Sequence, residues 1–212
     1  MERIGIVIAL KRESKGLLEL LTHNQILERP YPVYQSNLNN INIFIAISGL
    51  GKSYASACTQ FLIDKYNVNL IVNTGSCGGV CPKIKIGEIV CPHSVIEYDF
   101  KSIKLGTPIY TLNKDLLDIA TKLGLKTVLL GSADSNADTE EKKEYLHKIG
   151  IEVADWESAG ILKTSIKNNI PALILKTVTD TSSTNFVEEF LQNVKKLNKV
   201  LAEKTLEIIS AL

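Results

Sequence analysis

The chain has 212 residues, 24 Lys and Arg against 23 Asp and Glu, a net charge of +1 and 45% hydrophobic residues. Such balance excludes a strongly basic nucleic-acid or anionic-membrane binder and favours a neutral small-molecule partner. The length suits one domain, 1–212, with a sizeable core.

In chain order, apolar runs of strand length recur as RIGIVIAL, NIFIAIS, LIVNTG, GEIVCPHSVIEY, KTVLLGSA and ALILKTVT, rich in Val and Ile and bounded by turn residues. Between several of them lie the helical patterns SKGLLELL, SYASACTQFLIDKY, NKDLLDIATKL, TEEKKEYLHK and ESAGILKTSIKN. The segment from Thr184 to Leu212 places Phe186, Phe190, Val194, Leu197, Leu201 and Ile208 at helical spacing and predicts a long amphipathic helix. Buried strands alternating with helices predict an α/β domain with a central mixed, largely parallel sheet flanked by helices, its functional loops at strand carboxyl ends. The amino terminus has a short apolar run between charges, so it reads as a first strand and not as a signal peptide or spanning helix. Cys58, Cys77, Cys81 and Cys91 form no CxxC pair and no zinc-type spacing, and read as reduced thiols of a cytoplasmic protein.

Two glycine-rich stretches are near misses. AISGLGKS, Ala46 to Ser53, has Ala46 where a phosphate loop needs its first glycine, and no apolar strand ending in Asp follows to hold magnesium. It reads as a turn before a helix, or as a loop whose N–H groups face a ligand. IVNTGSCGGV, Ile71 to Val80, exposes no thiol nucleophile by its pattern, because none of His23, His93 and His147 is placed beside Cys77 by a local signature. Cys77 therefore reads as a small packed side chain.

Carboxylates stand where strand ends meet helix starts: Glu13 after RIGIVIALKR, Asp155 and Glu157 in VADWESAG, and Asp180 closing LILKTVTD. Asp155 reads equally well as a helix N-cap. On one parallel sheet such ends converge. The ordered set RIGIVIALKRE, SGLGK, NTGSCGG, GEIV, VADWESAG and TVTD resembles the nucleoside phosphorylase superfamily, and within it the 5′-methylthioadenosine/S-adenosylhomocysteine nucleosidases, over nearly the whole chain.

That resemblance implies hydrolysis of a purine nucleoside's N-glycosidic bond with water as nucleophile and no metal or organic cofactor, in a homodimer. It implies that Glu13 activates the water, Asp180 protonates the purine at N7, Glu157 binds ribose hydroxyls, and Asp155-Trp156 lay backbone against sugar and base. These roles suit the chemistry, since cleavage leaves an oxocarbenium-like sugar and an electron-rich base. Thr179 and Ser182 are close enough in sequence to orient Asp180, while Ser76 and the backbone at Gly78 suit a water and a sugar. Phosphorolytic relatives typically place an arginine where this chain has Asn73, and an amide cannot replace that charge. Arg12, beside Glu13, keeps phosphorolysis as one alternative; a hydrolase of another modified purine nucleoside and a non-enzymatic nucleoside binder on the same fold are the others. Where many members stack an aromatic ring on the base, the spacing reaches Asp134, read as a loop residue. Tyr98, Phe100, Phe186 and Phe190 are the aromatic candidates for a 5′ pocket, of which one or two read as pocket and the rest as core, with Phe100 and Phe190 assigned to substrate binding.

Overall fold

The computed structural model describes residues 2–104, 106–182 and 185–212. The strands are β1 (Arg3–Ile8), β2 (His23–Leu27), β3 (Val33–Leu38), β4 (Ile41–Ile47), β5 (Leu70–Gly79), β6 (Ile89–Glu97), β7 (Ile109–Thr111), β8 (Lys126–Ser132), β9 (Val153–Asp155) and β10 (Ala172–Asp180). The helices are α1 (Lys11–Leu20), α2 (Lys52–Tyr66), α3 (Lys114–Lys122), α4 (Glu140–Lys148), α5 (Ser158–Lys167) and α6 (Phe186–Ser210). Each predicted apolar run is a strand, and each helical pattern a helix. Thr184, at the predicted start of the last helix, lies outside the described residues.

The sheet is mixed, in the order β10-β6-β8-β9-β5-β1-β4-β3-β2, with β7 on β6. Parallel ladders join β1 to β4 and β5, β5 to β10, and β8 to β6 and β9. Strand β10 also pairs antiparallel with β6, so β5, β9, β8, β6 and β10 close into a ring. Closure removes free edges there and turns several carboxyl ends toward one place. The β1 and β10 runs are buried along nearly their whole length, which explains their continuous apolar character.

Two helix contacts set the site. Helix α1 packs along α6. Helices α2 and α5 approach so closely that a Cβ added to Gly160 would fall onto the Lys52 carbonyl oxygen. That contact brings the α2 amino terminus to the strand-end residues before α5. Gly160→Val is expected to cost on the order of 2 kcal/mol by overpacking, read as a lower urea midpoint with an unchanged slope.

Candidate active site

A cleft of about 230 Å³ opens at the carboxyl ends of β1, β5, β9 and β10. Its charged lining residues, among the described residues, are Glu13, Asp138, Asp155, Glu157 and Asp180. Ala9, Leu10, Leu50, Trp156, Phe186, Val187 and Phe190 form its apolar walls.

Glu13 sits in the first turn of α1, where Oε2 accepts from the Leu10 N–H at 3.0 Å. Its other oxygen, Oε1, accepts from the Ser76 N–H at 2.8 Å. One carboxylate thus caps its own helix and docks it on β5, which fixes its direction into the cleft.

Asp180 is placed by a register shift in the β10–β5 ladder between Val178 and Asp180, which sets it opposite Gly78. A Cβ at Gly78 would strike Ser182 Oγ and lie 2.7 Å from Asp180 Oδ1, so this close approach requires glycine. Thr179 Oγ1 donates to Asp180 Oδ2 at 3.0 Å and the Ser182 N–H donates to Oδ1 at 3.0 Å. Ser182 holds φ at 50° to do so, an uncommon conformation for a residue with a side chain. Burial raises the Asp180 carboxyl to about 6, with the charge of Glu189 adding to the rise, against the two hydrogen bonds that lower it.

Glu157 precedes α5; its Oε1 accepts from the Gly51 N–H at 3.1 Å. Asp155, two residues earlier, accepts from Ser158 Oγ at 2.5 Å and from the Ser158 N–H. The N-cap position itself belongs to Glu157, which makes no side-chain cap bond, so Asp155 serves the first amide of α5 from two residues before the cap. Lys176, in the middle of β10, is 2% exposed, with Nζ 2.9 Å from Asp155 Oδ2 and 3.8 Å from Glu157 Oε2. Burial would lower the Lys176 ammonium, yet the charges of Asp155, Glu157 and Glu13 outweigh it and hold the group protonated. Burial pushes Glu157 well above the usual carboxylate range, with Asp155 and Glu13 adding to the rise, although Lys176 and the Gly51 N–H oppose it. The sequence reasoning missed Lys176; a lysine inside the apolar run ALILKTVT was the available signal.

The cleft brings together Glu13, Ser76, Gly78, Asp155, Trp156, Glu157, Asp180 and Phe190. Thr179 is fully buried behind Asp180 and touches the cleft only through it. Phe100 does not line the cleft; the residue is 48% exposed, with Lys163 Nζ 5.2 Å from its ring centroid. Phe186 joins Phe190 in the wall, whereas Tyr98 donates to the Ser135 carbonyl outside it. Asp134 is a loop anchor, accepting from the Lys52 N–H at 2.7 Å while its own N–H donates to Asp99. The neighbours that reach the cleft are Ser135, Asn136, Ala137 and Asp138, none of them aromatic.

The near misses resolve as packing. Asn73 is buried, donating to the Val7 carbonyl at 2.9 Å and accepting from Ser158 Oγ, so it joins β5 to β1 and α5 instead of facing the cleft. Lys52, at the place of a phosphate-loop lysine, turns to Glu97 at 3.0 Å and Asp99 at 2.5 Å. Burial raises the Cys77 thiol far above its ordinary value, which makes it a poor nucleophile. Among the described residues no helix is long and apolar enough to cross a membrane.

The phosphorylase superfamily model matches residues 3–210, and the chain belongs to that superfamily of enzymes. A 5′-methylthioadenosine/S-adenosylhomocysteine nucleosidase of Buchnera aphidicola subsp. Baizongia pistaciae is 29% identical over 99% of this chain and 90% of its own. A protein of that name from Thermotoga maritima is 28% identical over 84% of this chain and 83% of its own. The nucleosidase of that name from Helicobacter pylori superposes with a TM-score of 0.92, at 20% identity over 100% of this chain and 99% of that one. A futalosine hydrolase of the same organism gives 0.92 as well, at 19% identity over 100% and 98%. The α/β architecture is that of these nucleosidase structures.

Because the folded Asp180 carboxyl titrates above its unfolded value, its contribution to stability is full below about pH 4 and lost as pH rises through about 6. Asp180→Asn is therefore expected to unfold at a higher temperature than the parent at pH 8, by on the order of 2 kcal/mol, with the gap closing toward pH 4. Lys176→Met strands two buried carboxylates and is expected to cost roughly 3 kcal/mol in urea unfolding at neutral pH.

Proposed function

We propose that the chain hydrolyses the N-glycosidic bond of a purine nucleoside, 5′-methylthioadenosine or S-adenosylhomocysteine, releasing adenine. What carries the reading is the presence in one cleft of a carboxyl raised to about 6 and a second carboxylate locked on a backbone N–H. These are an acid and a base in separate environments.

In this mechanism Asp180, protonated, donates to N7 of the purine as the C1′–N9 bond lengthens, so the base leaves neutral. Its Thr179 and Ser182 bonds, one to each oxygen, hold the orientation of the carboxyl. Glu13 takes a proton from a water held near the Ser76 backbone, and that water attacks the oxocarbenium-like C1′. Glu157 binds the ribose hydroxyls, with Asp155-Trp156 laying backbone on sugar and base. The ring of Trp156 is the aromatic wall nearest that backbone, in place of one on the 135–138 loop. Gly78 admits the sugar where a side chain would collide with Asp180.

Phe186 and Phe190 supply the apolar 5′ pocket of this reading. Phe100, which does not line this cleft, would serve a 5′ group from across a homodimer, which we propose together with a cytoplasmic location and a single catalytic domain spanning 1–212. Exposed Leu50, Tyr54, Ile103 and Ile109 favour a partner.

Adenine release from either nucleoside is expected to proceed at full rate without phosphate; release of a ribose 1-phosphate that depends strictly on phosphate reverses the reading. Asp180→Asn and Glu13→Gln are each expected to lower kcat by at least ~100-fold, with nucleoside affinity kept within about tenfold. The parent's kcat/KM is expected to fall as pH rises above about 6, the alkaline limb that Asp180→Asn abolishes.

A further inference from the structure

The acidic and basic side chains lining the cleft, among the described residues, are all carboxyl groups, so its interior offers an anion no cationic partner. The cations nearby are mostly engaged. Lys176 is bound to Asp155, and Lys142 donates to Ser135 Oγ and to the Asn136 carbonyl from behind the loop. Lys52 is held by Glu97 and Asp99.

Arg12 differs. It follows Lys11 in the first turn of α1, one residue before Glu13, and its side chain is exposed. Its Cζ stands 5.9 Å from the ring centroid of Phe190, the α6 residue that walls the apolar end of the cleft. Among the described residues it forms no salt bridge, and the Asn198 amide bonds only its carbonyl. A guanidinium laid against an aromatic face keeps its forked N–H edge free, and that edge matches a carboxylate.

We propose that Arg12 is a specificity-determining residue that receives a carboxylate carried at the far end of the substrate's 5′ substituent, so that the enzyme prefers 5′-thioethers ending in a carboxylate over neutral ones. The inference rests on the nucleosidase reading for where the 5′ group lies. The sugar and base occupy the acidic interior, the thioether chain runs along Phe186 and Phe190, and the anion emerges where the negative wall ends and Arg12 begins. A neutral methylthio group stops short of the guanidinium and gains nothing from it.

The test uses two adenosine 5′-thioethers of matched length, one ending in a carboxypropyl group and one in a butyl group, with 5′-methylthioadenosine as reference. Arg12→Gln is expected to lower kcat/KM for the carboxylate substrate about tenfold, mainly through KM, while the two neutral substrates change by less than about twofold. Arg12→Lys is expected to retain most of the preference, and about 0.5 M salt to shrink it in the parent. Equal losses on all three substrates, or no loss, overturn the proposal. Should the parent cleave none of them, calorimetric binding of the same compounds separates the two ideas. A carboxylate preference that vanishes in Arg12→Gln then upholds the Arg12 inference while the nucleosidase reading fails, and no preference overturns the inference.

Discussion

The site depends on one buried cation. Three acidic side chains, Glu13, Asp155 and Glu157, line one cleft, and their mutual repulsion there would favour opening of the loops that carry them. Lys176 answers this from inside β10, close enough to Asp155 for a direct ion pair and near enough to Glu157 to attract it. Its position in the most continuously buried strand means the ammonium cannot drift to solvent, so the charge acts as a fixed element of the fold. The desolvation that makes such a lysine costly is offset only while both acidic partners remain in place.

The same strand then separates two electrostatic environments. Four residues beyond Lys176, the irregularity before Asp180 carries its carboxyl away from the cation toward Gly78 and Ser182. Without a positive partner and with burial dominant, Asp180 holds its proton toward neutrality. Glu13 is kept directed by backbone donors instead. One strand thus supplies a neutralised floor and a proton-bearing wall, and the ring closure of β10 onto both β5 and β6 leaves it little freedom to slip.

How much of this was legible in the sequence depended on the range of the interaction. Runs such as RIGIVIAL and LIVNTG announce buried strands because burial on both faces demands unbroken apolar residues. Strands β2 and β3 carry His23, Asn24, Gln25 and Gln35 at the sheet's outer end, and β7 and β9 are three residues long, so their patterns are too polar or too short to register. Glu13, Glu157 and Asp180 were found through their places at strand ends. Their partners were not, because Lys176 to Asp155, Gly51 to Glu157 and Lys52 to Asp134 are contacts between distant segments. Asn73 is the converse case: its lack of charge is legible in the sequence, whereas the commitment of its side chain to β1 and α5 is not. The aromatic character of Phe100 does not encode whether the loop after β6 reaches the cleft.

The choice between water and phosphate as nucleophile gains a firmer footing from the whole charge arrangement than from Asn73. A phosphate dianion beside C1′ would stand next to Glu13 and need compensating cations within hydrogen-bond reach. Lys52 is drawn off to Glu97 and Asp99, where burial would raise both carboxyls but the lysine's bonds hold them low. Lys176 is already shared between Asp155 and Glu157, and diverting it would leave those two uncompensated. Arg12 stands outside, over Phe190. Among the described residues near the cleft, Lys52, Lys142 and Lys176 are thus engaged and Arg12 is peripheral, which favours a neutral nucleophile in the proposed reaction.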